Sequence, residues 1–214
     1  MARPVKAPRS YDSSRRQAQA DENRLAILRA AHDLFLKHGY GRTTIADIAG
    51  AAGVSVETIY AAFKNKATLL HRTWDITIGG DDREIVFHER PEVMAARAER
   101  DLAKRLLLQA HVSGAAAARI GPFFLMVHAA SGAEPAAATM VEEMHRQRLA
   151  GLSVMASEAA ATGQLAVSEE ECRDVLWATT DGVLWQRLVQ QRGWTQDRYV
   201  AWLGRTWVRL LVEP

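Results

Sequence analysis

Residues 53–66, GVSVETIYAAFKNK, place side chains suited to DNA bases on a short predicted helix. Val56 and the methyl group of Thr58 can contact a thymine methyl, and Glu57 can accept a hydrogen bond from a cytosine amino group. Ser55 can bond to phosphate or to a base edge. A helix of about two turns is unstable alone because its nucleation is costly, so neighbouring elements must hold it in place.

Hydroxyl and basic side chains flank this helix and can bind the phosphate backbone. A threonine at a helix N-terminus can bind phosphate together with backbone N–H groups, and nearby lysines supply positive charge. The side chains predicted to contact the phosphate backbone of DNA are Arg42, Thr43, Thr44, Tyr60, Lys64 and Lys66. Arg15 and Arg16 can add further phosphate or minor-groove contacts.

The preceding residues have the pattern of a helix-turn-helix. This motif needs a small residue where its two helices touch, a tight turn between them and apolar positions that face a third helix. Ala49 can supply the close contact and Gly53 the turn, while Thr43 or Thr44 can cap the first of the two helices. The positions expected to face inward are Ile45, Ile48, Val54, Ile59, Ala62 and Phe63.

Helical spacing of apolar residues continues along the rest of the chain, which predicts an all-α protein. We expect a basic mobile arm over residues 1–20, a DNA-binding domain over 21–66 and a ligand-binding and dimerisation domain over 67–214. Residues 85–87 are compatible with a short strand, although a loop is favoured. Further helices are expected over 95–118, 122–131, 135–161, 168–191 and 195–212, with breaks at Gly and Pro.

Composition limits the functional classes. Residues 1–70 carry 11 Lys and Arg against 6 Asp and Glu, a net charge of +5, whereas the other 144 residues carry 16 against 19, a net charge of −3. This distribution favours a polyanion as partner of the first part. Cys172 is the single cysteine, which excludes an intramolecular disulfide. Without a signal peptide or membrane-spanning pattern, we expect a cytoplasmic protein.

The segment ILRAAHDLFLKHGYGRTTIADIAGAAGVSVETIYAAFKNKATLL resembles the TetR family of regulators. The resemblance rests on the Gly-Tyr before the threonine cap, the AAGVS turn, the IYxxF helix and the NKxxLL that follows it. It implies a nine-helix homodimer in which the first three helices bind DNA and a variable helical bundle binds a small ligand. Ala67 departs from the family pattern, which often has an acidic residue there.

The C-terminal part supplies candidate residues for both roles that the resemblance implies. A pocket for a largely apolar ligand is predicted from Trp74, Phe123, Phe124, Val127, His128, Met140, Met144, Trp177 and Asp181. A dimer interface is predicted from Val175, Val183, Leu184, Leu188, Trp202, Leu203, Trp207 and Leu210. Any of these side chains can instead belong to the core of one protomer.

The function expected from the sequence is a repressor that a ligand releases from a palindromic DNA operator. A DNA-organising or adaptor protein of the same fold, without ligand sensing, is the alternative. An enzyme is not expected, because the sequence has no phosphate-binding loop or nucleophile motif. The seven histidines show no convincing metal-ligand spacing, so no metal or cofactor is expected.

Overall fold

The computed structural model describes residues 13–80 and 90–212, and these are helical with no strand among them. The all-α prediction is therefore confirmed for the described residues. Residues 85–87 and the first twelve residues of the expected arm lie outside them. The helices are α1 (Ser13–His38), α2 (Ile45–Ala52), α3 (Val56–Phe63), α4 (Lys66–Gly79), α5 (Pro91–Ala98), α6 (Leu102–Ala130), α7 (Pro135–Ala160), α8 (Glu169–Thr179), α9 (Val183–Trp185), which continues as a π-helical segment (Gln186–Gln191), and α10 (Gln196–Leu211).

Helix α6 is the centre of the C-terminal bundle. It packs against α4, α5, α7, α9 and α10, and it also contacts α1. Its length and apolar composition would allow it to cross a membrane, but the core helices of folded domains share both properties. Arg105 and Gln109, both buried, show that the helix also carries polar groups into the interior.

Two buried apolar clusters stabilise the fold. The first joins α1–α4 to α6 and α7, and the second joins α6, α7, α8 and α10 around Trp207 and Tyr199. Since residues of α6 and α7 take part in both clusters, the two clusters share their supporting helices. The first three helices are therefore packed onto the bundle rather than attached through a linker.

The start of α1 differs from the sequence prediction. The helix begins at Ser13, so residues 13–20 of the expected arm form its first two turns. Gln17 Nε2 donates to Asp21 Oδ1 at 3.0 Å, and Gln19 Nε2 donates to Asn23 Oδ1 at 3.2 Å. Side-chain pairs four residues apart stabilise an exposed helix, and the low apolar content of this segment had concealed that tendency.

The helices expected over 95–118 and 122–131 are divided differently in the structure. A break separates α5 from α6, where Asp101 caps α6 by accepting a hydrogen bond from Lys104 N–H at 3.1 Å. Gln164 fixes this break, because its side chain accepts from Leu102 N–H at 3.0 Å and donates to the Arg100 carbonyl at 2.9 Å. Pro122, the expected break, lies inside α6.

A close backbone contact explains why glycine occurs where α6 passes the start of α9. A Cβ at position 121 would lie 2.9 Å from the Gly182 carbonyl oxygen, and a Cβ at position 182 would lie 2.5 Å from Gly121 Cα. Gly182 also has φ +83°, which favours glycine. Only two glycines allow this approach without moving the backbone.

We predict that Gly121→Ala lowers the free energy of unfolding by about 2 kcal/mol, because the new methyl group meets backbone rather than a flexible side chain. Gly151→Ala is the control, since a methyl group added at position 151 in α7 would have no atom within 4 Å of it. That change is expected to stabilise the protein by about 0.5 kcal/mol through helix propensity. Urea unfolding followed by circular dichroism measures both, and equal effects would contradict the proposed contact.

Candidate nucleic-acid interface and ligand cleft

Helices α2 and α3 form the two arms of a helix-turn-helix. The chain bends by 106° between them, within the range of about 90–120° typical of this motif. Gly53 makes the turn at φ 69°, and Val54 N–H donates to the Ala49 carbonyl at 3.1 Å. Because this left-handed conformation is costly for a residue with a Cβ, glycine fits the turn.

The inner face of the motif is buried. Ile48 is 0% exposed, and Ile59 and Phe63 are each 1% exposed. Ala49 is also buried, as expected for the contact between α2 and α3. Ala62, predicted to face inward, is exposed, because the large ring of Phe63 on the adjacent position fills the interior instead.

Ser55, Glu57 and Tyr60 are exposed around the N-terminus and outer face of α3. Ser55 caps the helix by accepting a hydrogen bond from Thr58 N–H at 3.2 Å. Hydrogen bonds from the backbone N–H of Glu57 and from Ser55 lower the pKa of the Glu57 carboxyl, so it is an ionised acceptor at neutral pH. Tyr60 is 50% exposed and presents a hydroxyl group at the surface.

Val56 and Thr58 are less accessible than the sequence suggested. Val56 is half-buried and packs against the first apolar cluster. The Thr58 hydroxyl lies 3.1 Å from the Ser55 hydroxyl, and Thr58 is half-buried as well. Their methyl groups therefore have only part of their surface available to a base.

The two neighbouring threonines have different roles. Thr44 caps α2 in a capping box with Asp47, whose backbone N–H donates to the Thr44 hydroxyl at 3.1 Å. Thr43 is 2% exposed, and its hydroxyl donates to the carbonyls of Leu34 and Gly39 at 3.1 and 2.9 Å. The prediction that Thr43 contacts DNA is wrong, because this side chain fastens the α1–α2 connection.

Lys66 is half-buried and is held by two contacts, so its binding to phosphate stays a prediction. Its Nζ lies 4.1 Å from the centre of the Tyr40 ring and 3.5 Å from the Gly41 carbonyl oxygen. Burial lowers the pKa of Lys66, and the nearby Glu134 carboxylate partly opposes that shift. Its ammonium group thus links the start of α4 to the α1–α2 connection.

Lys64 and Arg42 remain exposed beside the motif. Arg42 Nε donates to the His38 carbonyl at 2.9 Å, which holds the guanidinium near the end of α1. Lys64 has φ 64° and ψ −47°, and Asn65 N–H donates to the Phe63 carbonyl at 2.7 Å. This is a strained γ-turn centred on Lys64, which ends α3 and starts α4.

A large cleft lies between α1, α4, α5, α6 and α7. Its volume is about 1570 Å³, larger than the roughly 300–1,000 Å³ of a typical ligand pocket. Of the predicted ligand residues, Trp74, Phe124, Met144 and Asp181 line it. The sequence did not indicate the contributions of Asp21 and Arg24, because α1 had been assigned to DNA binding alone. It did not indicate Arg148 of α7 either, because the pocket was expected to be largely apolar.

The other five predicted ligand residues lie outside the cleft lining. Phe123, Val127 and Met140 are each 0% exposed and belong to the first apolar cluster. His128 stacks on Phe124 at 5.9 Å between ring centres, and Trp177 contacts the His145 ring at 6.0 Å. The three buried side chains support the cleft wall from behind, whereas His128 and Trp177 are exposed outside the lining. Aromatic spacing in the sequence does not distinguish a lining residue from its support.

The predicted dimer surface is divided by the structure. Leu203 is 1% and Trp207 0% exposed within one protomer, and Trp207 Nε1 donates to Thr179 Oγ1 at 2.9 Å. Both are core residues, so their assignment to the interface was wrong. Leu210 is 51% exposed, and the half-buried remainder of the predicted set comprises Val175, Val183, Leu184, Leu188 and Trp202. For these six residues the interface stays a prediction.

Comparison with known proteins agrees with the geometry of α1–α4. Residues 27–73 match the family described as "Bacterial regulatory proteins, tetR family". The segment that forms α1–α4 is therefore of the TetR-family type. A similar protein is the "HTH-type transcriptional regulator TtgR" of Pseudomonas putida, with 46% identity over 61 residues. That alignment covers 28% of this chain and 29% of the relative, so the similarity to this TetR-family member is confined to under a third of its length.

Solved structures of low sequence identity share the fold over nearly their whole length. A Saccharomonospora viridis regulator, solved in complex with choline, has a TM-score of 0.67 and 20% identity, covering 89% of this chain and 98% of that one. FadR from Bacillus subtilis, solved in complex with stearoyl-CoA, has a TM-score of 0.68 and 18% identity, covering 87% and 98%. The arrangement of the C-terminal helices is thus also that of these two solved structures.

The γ-turn at Lys64 can be tested by separating backbone strain from charge. We predict that Lys64→Gly raises the free energy of unfolding by about 1 kcal/mol, because glycine adopts a positive φ without steric cost. Lys64→Ala removes the same charge but keeps the strain, so it is expected to leave stability within about 0.5 kcal/mol. Urea unfolding measures the stability of both variants. A Lys64→Ala variant as stable as Lys64→Gly would contradict backbone strain at position 64.

Proposed function

We propose that this protein is a transcriptional repressor that binds operator DNA as a homodimer and is released by a ligand in the cleft. The observation that carries the proposal is the exposed face of α3, fixed by its buried side on a helix-turn-helix. Ile59 and Phe63 hold the helix from within, while Glu57 and Tyr60 project from it. A rigid helix with an exposed polar face is what insertion into a major groove requires.

Roles on DNA follow from the accessibility of each side chain. Glu57 is suited to accept a hydrogen bond from a cytosine amino group, because its carboxylate is ionised and exposed. Ser55, Tyr60, Lys64 and Arg42 are suited to phosphate, because each presents a hydroxyl or cationic group at the surface. Thr44 can join them at the N-terminus of α2, where unpaired backbone N–H groups favour an anion.

Dimerisation would double this recognition. Two copies of α3 related by a two-fold axis read half-sites whose centres lie about 34 Å apart or a multiple of that distance. The operator is therefore expected to be a pseudo-palindrome. The exposed Leu210 and the half-buried Trp202 of α10 are the side chains that we assign to the contact between protomers.

The position of the cleft supports control by a ligand. Its wall includes Leu25 and Leu28 of α1 and Trp74 and Ile78 of α4, and both helices pack against the helix-turn-helix unit. An occupant that prefers one arrangement of these helices shifts the separation of the two recognition helices. The choline and stearoyl-CoA complexes of the two structural relatives support ligand binding in a protein of this fold.

Selection of binding sites from a random DNA pool tests the proposal. We expect an enriched pseudo-palindrome, and we expect Tyr60→Ala to weaken binding to it about tenfold or more through loss of a phosphate contact. Met94→Ala is the matched control, because Met94 and Tyr60 are each 50% exposed and Met94 lies on α5. Fluorescence anisotropy with the selected duplex measures both affinities.

Two results would contradict this proposal in different ways. Equal affinities of the Tyr60→Ala and Met94→Ala variants would remove α3 from the interface. Enrichment of many unrelated sequences without symmetry would favour the DNA-organising alternative over an operator-specific repressor.

A further inference from the structure

Arg148 occupies an unusual position for a charged residue. It extends from α7 into the lining of the cleft and is half-buried there. Its Nη1 donates to the Trp177 carbonyl at 2.5 Å and lies 3.5 Å from the Thr180 hydroxyl. Its guanidinium carbon is 4.7 Å from the centre of the Trp177 ring. These contacts fix the orientation of the guanidinium plane.

The hydrogen-bonding capacity of Arg148 is only partly used. A guanidinium has five N–H donors in a planar fork, and the described residues accept hydrogen bonds from Nη1 alone. No described carboxylate forms an ion pair with it: Asp181 acts on it only at a distance, and Asp181 Oδ1 accepts from Val183 N–H at 2.8 Å. Neither Nε nor Nη2 is among the buried unpartnered atoms, so both keep some contact with solvent.

The remaining arginines of the cleft differ from Arg148. Among the lining residues, Arg72 pairs with Asp75 at 3.3 Å, Arg97 pairs with Glu158, and Arg146 pairs with Glu143 at 2.6 Å. Arg24 stacks over the Phe63 ring at 5.3 Å. Arg24 and Arg148 thus have no carboxylate partner among the described residues. Of the two, Arg148 is half-buried and oriented by hydrogen bonds, whereas Arg24 is exposed.

Beside Arg148 the cleft has a polar side, with Thr180 and Asp181, and an apolar side. Phe124, Met144 and Leu152 line the same cleft and are buried. Phe124 also contacts the His145 ring at 5.6 Å, and His145 in turn contacts Trp177 beneath Arg148. Burial, and next the charge of Arg148, lower the pKa of His145, so a neutral imidazole separates the apolar wall from the guanidinium at neutral pH.

We propose that the cleft binds an amphipathic carboxylate, whose carboxylate group accepts hydrogen bonds from Arg148 while its hydrocarbon body lies along Phe124, Met144 and Leu152. This assignment rests on the proposed function, because it names the class of ligand to which the repressor responds. The planar fork of arginine matches the two oxygens of a carboxylate. Each methylene group buried on the apolar wall strengthens binding by about fourfold.

Three compounds that share an eight-carbon chain test the assignment by isothermal titration calorimetry of the intact protein: octanoate, 1-octanol and octyltrimethylammonium. We expect octanoate to bind at least about tenfold more tightly than 1-octanol, the effect of one charged hydrogen-bonded contact. The cation is expected to bind more weakly than 1-octanol. Tighter binding of either comparison compound, or no octanoate binding at millimolar concentration, would overturn the proposal.

Variants assign the preference to one residue. Arg148→Met should abolish the preference for octanoate over 1-octanol, while Arg146→Met should change it less than about threefold, because Arg146 lines the same cleft but is paired and exposed. Arg148→Lys keeps the charge but lacks the planar donor pair of the guanidinium, and it replaces Arg148→Met in the test if that variant does not fold. Its affinity for octanoate should fall about threefold or more. An unchanged preference in a folded Arg148 variant would refute the assignment.

Operator binding measured in parallel separates this proposal from the proposed function. Arg148-dependent octanoate binding that leaves operator affinity unchanged would support the site and refute its regulatory role. Intact operator binding by a protein that does not bind octanoate would refute the ligand assignment while leaving DNA recognition in place.

Discussion

The helix-turn-helix depends on one apolar core, the first of the two clusters, which joins α3 to the C-terminal bundle. It begins at Ile59 and Phe63 of α3, passes through Leu69 and Leu70 of α4, and reaches α6 and α7. Trp74 stacks on Phe123 at 5.9 Å between ring centres where α4 meets α6. Eight-residue helices such as α2 and α3 cannot persist alone, so their stability comes from this core.

The same core places the ligand cleft beside the DNA-binding unit. Helix α4 starts directly after α3 and supplies Trp74 to the cleft, with no linker between the two functions. Helix α7 likewise carries Arg148 in the cleft. Glu134, the residue before α7, lies close to Gly41, since a Cβ at position 41 would be 2.9 Å from Glu134 Oε1. Both helices therefore connect the cleft physically to the end of α1, where Lys66 and Tyr40 meet.

The sequence predicted the elements well but not the partners of individual side chains. Capping signals and helical spacing are local, so the helix-turn-helix could be located from Thr44, Gly53 and Ser55. Thr43 and Thr44 have the same side chain, so either could cap α2. The packing of the α1–α2 connection decides that Thr43 is buried and Thr44 is the cap. Lys64 and Lys66 likewise differ through tertiary contact alone. Trp207 was assigned to an interface because composition cannot distinguish core from contact surface.

Native-state hydrogen exchange in increasing urea tests the shared core most directly. If α3 and α6 belong to one cooperative unit, the backbone amides of Ile59 and Phe123 open at low urea through local fluctuations and converge on one global unfolding free energy as urea rises. Both residues are buried in the same cluster, so we expect this convergence. An Ile59 amide that reaches its own, lower plateau while Phe123 stays protected would show that the recognition helix unfolds independently, which would contradict a common core.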